Sequence, residues 1–202
     1  MPLNRRIVLT ISRSALAILG AVSLVSTPVH AAGPGSMART LNPGSMFLRE
    51  GPSALAPFAH VKFCMRSPED CKPTSGNGII DMTPETQARI SAINVRVNRS
   101  IRPLADPPGQ EEWVIGGVAG SCHDYAVTKR KELLQAGFSS KAIRLAVAFT
   151  GDGQGHAVVV VRTDGGDVVL DNRTNAIRRW DKTDLRWLKI ESSENPRFWV
   201  SL

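Results

Sequence analysis

The chain has 202 residues, 42% of them apolar, with 25 Lys and Arg against 18 Asp and Glu and a formal net charge of +7. That apolar fraction with moderate charge excludes a disordered chain and suits one globular domain. Its 17 Gly, 13 Pro and 3 Cys show no period, which excludes collagen-like, coiled-coil and disulfide-scaffold classes.

Residues 1–31 place Arg5 and Arg6 before an apolar run from Ala15 to Val25 and end on Val29-His30-Ala31, the order of a secretory signal peptide cleaved after Ala31. The run is bounded by Arg13 and by Ser26-Thr27-Pro28, short of the roughly 20 apolar residues a bilayer core requires, so a retained anchor is the alternative. With Arg5, Arg6 and Arg13 removed, 22 basic residues face 18 acidic ones. Solubility accounts for that surplus. The expectation is a periplasmic or secreted protein with no nucleic-acid partner and no stable membrane anchor. Residues 32–57, rich in Ala, Gly, Pro and Ser, read as a flexible linker or N-terminal arm, and 58–202 as the domain.

Cys64 and Cys71 lie seven positions apart in a short loop. In an oxidising compartment such a pair is expected to form a disulfide; a redox-active dithiol, which would lack C-x-x-C spacing, and two buried thiols are the alternatives. Thr83-Pro84-Glu85 predicts a helix start. Ile90, Ile93, Val97 and Ile101 give it a packing stripe, and Arg102-Pro103 ends it. Irregular chain follows to Gly120, with Trp113 in its midst, either a wall of a cleft or a structural core residue. A second helix opens at Gly120-Ser121-Cys122 and runs toward Gly137, placed as a C′ glycine. Thereafter Leu145–Thr150, His156–Arg162 and Asp167–Asp171 read as Val-rich strands joined by Gly151-Asp152-Gly153 and Asp164-Gly165-Gly166 turns, with shorter strands near Trp187–Ile190 and Phe198–Ser201. Helices first and antiparallel strands after make an α+β layout.

Cys122 is the cysteine left over, and it stands where a helix begins. Unsatisfied N–H groups and the positive end of the dipole favour thiolate there and can stabilise an oxyanion. Of the four histidines, His30 lies in the leader and His60 near the arm. His156 starts a strand after a glycine-rich turn, and Asp171 ends the next strand, so the acid can hold Nδ1–H while Nε2 faces the thiol. His123 is the competing base. Neighbours i and i+1 on a helix diverge by about 100°, which is expected to keep it from the sulfur.

The stretches GSCHDYAVTKRKELLQAGF and GQGHAVVVVRTDGGDVVLDN, with FCMRSPEDC upstream and VNRSIRP between, resemble the bacterial transglutaminase-like cysteine proteinases, a group that includes LapG-type periplasmic adhesin proteases. The resemblance covers Phe58 to Leu202. It implies a papain-like or transglutaminase-like core, with the nucleophile at a helix N-terminus packed on an antiparallel sheet, and a Cys-His-Asp triad on Cys122, His156 and Asp171. It further implies hydrolysis of a protein or peptide substrate in the cell envelope; transfer of the acyl group to an amine, or a non-catalytic binding module of this fold, are the other readings. In that family acids flank the nucleophile in a GDCEDY pattern and help bind calcium. Here Ser121 and His123 stand in their places, leaving Asp124 as the candidate metal ligand, with backbone carbonyls or acids elsewhere, such as Asp106 and Asp152, as further contributors. The expectation is therefore no cofactor, with calcium as the alternative.

Overall fold

The structure is a computed structural model, and it describes residues 45–107 and 109–202. The leader and the first part of the expected arm lie outside the described residues. Among the described residues no helix is long and apolar enough to cross a membrane.

The first long helix forms where its cap residues require it. Thr83 Oγ1 accepts the Thr86 N–H at 3.2 Å and Pro84 takes the first helical position; α2, the second of three α-helices among the described residues, then runs Pro84–Ser100 and buries Ile90, Ile93 and Val97. The nucleophile-bearing helix α3 runs Cys122–Gln135, and Gly137, at φ +92°, ends it. α3 lies between α2 and the sheet, so even Thr128, Lys129 and Arg130 are buried. An earlier helix, α1 (Phe58–Arg66), was not legible from periodicity. Its buried positions are Ala59, His60, Phe63 and Cys64, a stripe in which only one residue is large and apolar.

Strands β1 (Ser53–Ala54), β4 (Ile143–Phe149), β5 (Gly155–Thr163), β6 (Gly166–Leu170), β7 (Arg178–Arg179), β8 (Arg186–Glu191) and β9 (Trp199–Ser201) form one antiparallel sheet in the order β1-β9-β8-β4-β5-β6-β7. β2 (Arg102–Pro103) and β3 (Ala119–Gly120) make a separate parallel pair just before α3. Both faces of the central strands are covered. Ala157, Val159 and Val161 pack toward the helices, whereas Val158 and Val160 join Trp180, Trp187 and Ile190 in a second core. This explains the unbroken Val run of β5, since neither face has to be polar. The expected α+β layout, with Cys122 at a helix N-terminus packed on an antiparallel sheet, is the one observed.

One boundary needs correction. Residues 45–57, expected as the end of a flexible arm, are bound to the sheet: Leu48 is buried, its N–H donates to Asp167 at 2.8 Å, and β1 pairs with β9. The Asp167 N–H in turn donates to the Met46 carbonyl at 2.9 Å. Gly166, at φ +107°, lies so close to that carbonyl that a side chain would collide with it. The composition of 45–57 resembles a linker, yet the segment is attached through backbone groups, the buried Leu48, and Glu50, which accepts from Arg144 at 2.6 Å and pairs with Arg162 at 3.3 Å.

Candidate active site

Ser121 is the N-cap of α3, and Asp124 folds back to accept its N–H at 2.7 Å. Gly120 is needed here, because a Cβ would run into the Asp124 carboxyl. Cys122 is thereby the first helical residue, and its half-buried thiol faces β5, where the Ala157 N–H points at the sulfur from 3.5 Å.

His156, at the start of β5, and Asp171, just past β6, are brought together by the register that pairs Val159 with Leu170. His156 Nε2 lies 2.9 Å from Asp171 Oδ1, and both side chains are buried. The expected ring orientation is reversed. Nε2, not Nδ1, meets the acid, which leaves Nδ1 for the thiol. The reason is proximity: the sulfur is within reach of the amide of the very next residue, so the ring nitrogen nearer the backbone faces it and the farther one extends to Asp171.

Asp171 is held from three sides. Arg173 donates from its N–H to Oδ1 at 2.9 Å and from Nε and Nη2 to Oδ2 at 2.9 and 2.8 Å, while Asn98 Nδ2 donates to the Asp171 carbonyl at 3.1 Å. Arg173 is itself fixed by Asp184, at 2.9 and 2.7 Å. Burial would raise the Asp171 carboxyl, but His156 and Arg173 outweigh it and hold the group well below the carboxylate range. Burial likewise lowers His156, and Asp171 and Cys122 outweigh it, placing the imidazole at about 9. For Cys122 burial raises the thiol, yet His123, His156 and the Ala157 N–H bring it down to about 6. Between those values the pair is a thiolate and an imidazolium.

His123 also departs from expectation. Its side chain borders the same cavity as the thiol and helps lower the thiol pKa, although i and i+1 diverge on a helix. That divergence governs where the Cβ points. The ring is drawn back by Asp106, 3.1 Å from Nε2, and lies parallel to Trp113 at a centroid distance of 5.6 Å. His60, the remaining histidine of the described residues, is buried against Glu191 and meets Trp113 edge-on at a centroid distance of 5.3 Å. Cys64 and Cys71 form a disulfide, leaving Cys122 free.

A cavity of about 550 Å³ opens over Cys122 and His156, with Trp113 and Glu111 on one wall and Phe149 and Leu188 on the other. Trp113 is both core and wall. It is buried, yet it borders the cavity. Residues 50–202 match the bacterial transglutaminase-like cysteine proteinases (BTLCP). The chain belongs to this family. No curated protein matches. Among solved structures, calcium-bound LapG of Legionella pneumophila is similar at 21% identity and a TM-score of 0.50, over 59% of this chain and 71% of that one. EGTA-treated LapG is similar at 20% identity and a TM-score of 0.49, over 60% and 70%.

In this transglutaminase-like cysteine proteinase, several residues around the site were given no role by the sequence. Arg173 stands two positions after Asp171 in a segment that reads as a turn. Asn98 reaches the site from α2, and only the packing of that helix brings it there. Lys129 is buried in α3, where burial outweighs the attraction of Asp171 and lowers the ammonium to about 7.

Proposed function

We propose that the chain is an exported cysteine peptidase that uses Cys122, His156 and Asp171. The Cys122 thiolate adds to a peptide carbonyl, and the oxyanion is met by N–H groups at the start of α3. As the tetrahedral centre collapses the C–N bond breaks, the departing amine takes the proton of His156 Nδ1, and a thioester remains. His156, neutral after that transfer, removes a proton from water. The resulting tetrahedral centre releases the carboxylic acid and returns the thiolate. Asp171, pinned by Arg173, keeps the ring oriented and favours its charged form. The observation that carries this reading is the thiol at a helix N-terminus with His156, backed by Asp171 at 2.9 Å, beside it in an open cavity.

The substrate is a protein or peptide of the cell envelope, which rests on the secretory leader at 1–31. Exported protein is expected to begin near Ala32 by mass spectrometry; an intact Met1 would refute the export. LapG has a calcium-bound form, and calcium takes six to eight oxygen ligands. Beside Cys122 the groups that could hold a cation are Asp106, His123 and Asp124. Both Asp124 oxygens already accept backbone N–H groups, from Val114 and Ser121, and the third donor is a nitrogen. This set does not fit calcium, and the proposed chemistry runs without it.

Site-specific alkylation of Cys122 by iodoacetamide at neutral pH, with hydrolysis of a peptide library measured on wild type and Cys122→Ala, tests the proposal. Labelling and hydrolysis both lost in Cys122→Ala are expected. Hydrolysis that survives the substitution refutes the nucleophile, and incorporation of a labelled amine in preference to water would reassign the enzyme to acyl transfer.

A further inference from the structure

His123 occupies an unusual place for a residue outside the triad. Its side chain is 5% exposed, with Nε2 3.1 Å from Asp106 Oδ2 and 3.6 Å from Asp124 Oδ1, and Nδ1 3.7 Å from Glu111 Oε1. Each carboxylate is held in place without it. Asp106 accepts the Glu112 N–H at 3.1 Å, Glu111 accepts the Trp113 indole N–H at 2.7 Å, and Asp124 accepts the N–H groups of Val114 and Ser121 at 2.7 Å each. Three acids thus converge on one imidazole, and both ring nitrogens face carboxylate oxygen. A neutral imidazole has one N–H and one lone pair. Either neutral tautomer leaves three carboxylates around an uncharged ring, whereas the imidazolium sets a positive charge among them. Nε2 makes no aligned hydrogen bond, so its attraction to Asp106 and Asp124 is that of charge, strengthened by burial.

We propose that His123, as an imidazolium, is a built-in cation of this active site, a positioning residue that fastens Asp106, Glu111 and Trp113 to the N-terminus of α3 and sets its charge in the same cavity as the Cys122 sulfur. The inference rests on Cys122 being the nucleophile. The groups facing the ring are Asp106, Glu111 and Trp113 from the segment, and Asp124 and Cys122 from α3. Three consequences follow from the geometry. The parallel Trp113 ring, 3° from coplanar, fixes the plane of the imidazole and gains from its charge. The cation offsets the charge of Asp106 and Glu111 on the cavity wall, adding to the backbone and indole hydrogen bonds that already hold them. The sulfur gains a second positive neighbour besides His156, which favours thiolate. A side chain of this chain thereby does what a bound cation would have to do among these acids.

The test exchanges the internal cation for acids. In His123→Gln, alkylation of Cys122 at pH 7 is expected to slow about tenfold, as thiolate is lost, and added calcium is expected not to restore it. In Ser121→Asp/His123→Glu the cluster becomes all oxygen, and calorimetry on chelator-treated protein is expected to show calcium binding that wild type lacks, with a higher melting temperature and restored alkylation only in the presence of calcium. If the double variant does not fold, His123→Gln decides. Alkylation of His123→Gln at the wild-type rate, or calcium binding by wild type that speeds its alkylation, would overturn the proposal. Calcium binding is read independently of turnover, so a Cys122 that proves not to be the nucleophile would defeat the functional reading and leave this calorimetric contrast to be judged by itself.

Discussion

Two of the imidazole–carboxylate pairs among the described residues are buried on both partners and nearly equal in length, and only one of these two faces a nucleophile. His60 Nε2 lies 3.1 Å from Glu191 Oε1 and His156 Nε2 lies 2.9 Å from Asp171 Oδ1. The difference lies at the other ring nitrogen. His60 Nδ1 accepts the indole N–H of Trp199 at 3.3 Å, and since indole is a donor only, the His60 proton is on Nε2 and shared with Glu191. Its proton has nowhere else to go. Glu191 also meets Arg130 Nε at 3.1 Å and the Leu145 N–H at 2.9 Å; burial raises this carboxyl, but Arg130 and His60 outweigh it and the net shift is downward. The pair in the core is closed on every side and ties α1, α3 and the sheet together. The pair at the cavity leaves Nδ1 of His156 for the sulfur, so the same two functional groups become machinery when one valence is left open.

Substitutions at the two histidines should separate these roles. His156→Ala is expected to reduce kcat/KM by at least about 10³-fold because the general acid and base is gone, and to lower the melting temperature less than a break in the core pair does, since Arg173 still pairs with Asp171. Glu191→Gln is expected to do the reverse. It strands Arg130 among buried groups, which costs about 3–5 kcal/mol, seen as a lower midpoint in urea, while the folded fraction keeps its turnover. A large loss of turnover per folded molecule in Glu191→Gln would mean that the two pairs are not independent.

Asp171→Asn is the next effect in size. It removes the charge that favours imidazolium and loosens Arg173, and the loss is expected to be about 10²–10⁴-fold in kcat, checked by steady-state kinetics. Wild type should show a bell-shaped kcat/KM, rising as Cys122 ionises near 6 and falling as His156 loses its proton near 9. These limbs belong to the coupled pair. A profile with no alkaline limb would remove His156 as the proton donor.

The smallest expected effect is on stability against pH. Asp171 and Glu191 have lowered values, so their contributions are present above the unfolded carboxylate range and fade as pH falls through the folded values. His156 is raised to about 9, so its contribution is full below the ordinary histidine value and fades as pH rises through about 9. Thermal melts at pH 6 and pH 10 should therefore show an alkaline loss in wild type that shrinks in His156→Ala. Equal losses in both would assign the alkaline effect to other groups.

The sequence by itself determined the elements whose signals are local. Thr83-Pro84 starts α2 and Gly137 ends α3 because caps and positive φ are properties of a few adjacent residues. The Val-rich strands and their turns, and the placement of Cys122, His156 and Asp171 at the ends of three such elements, were legible for the same reason. What only the tertiary structure decided depends on groups distant in the chain. The reversed ring of His156 follows from how close α3 lies to β5. The attachment of 45–57 runs through Asp167, and the divergence of Cys122 and His123 on the helix gives way because Asp106 and Trp113 arrive from an irregular segment with no periodicity to announce it. Local sequence fixes backbone direction within a turn or two, whereas the direction of a long polar side chain is set by whichever charge or ring the fold delivers to it.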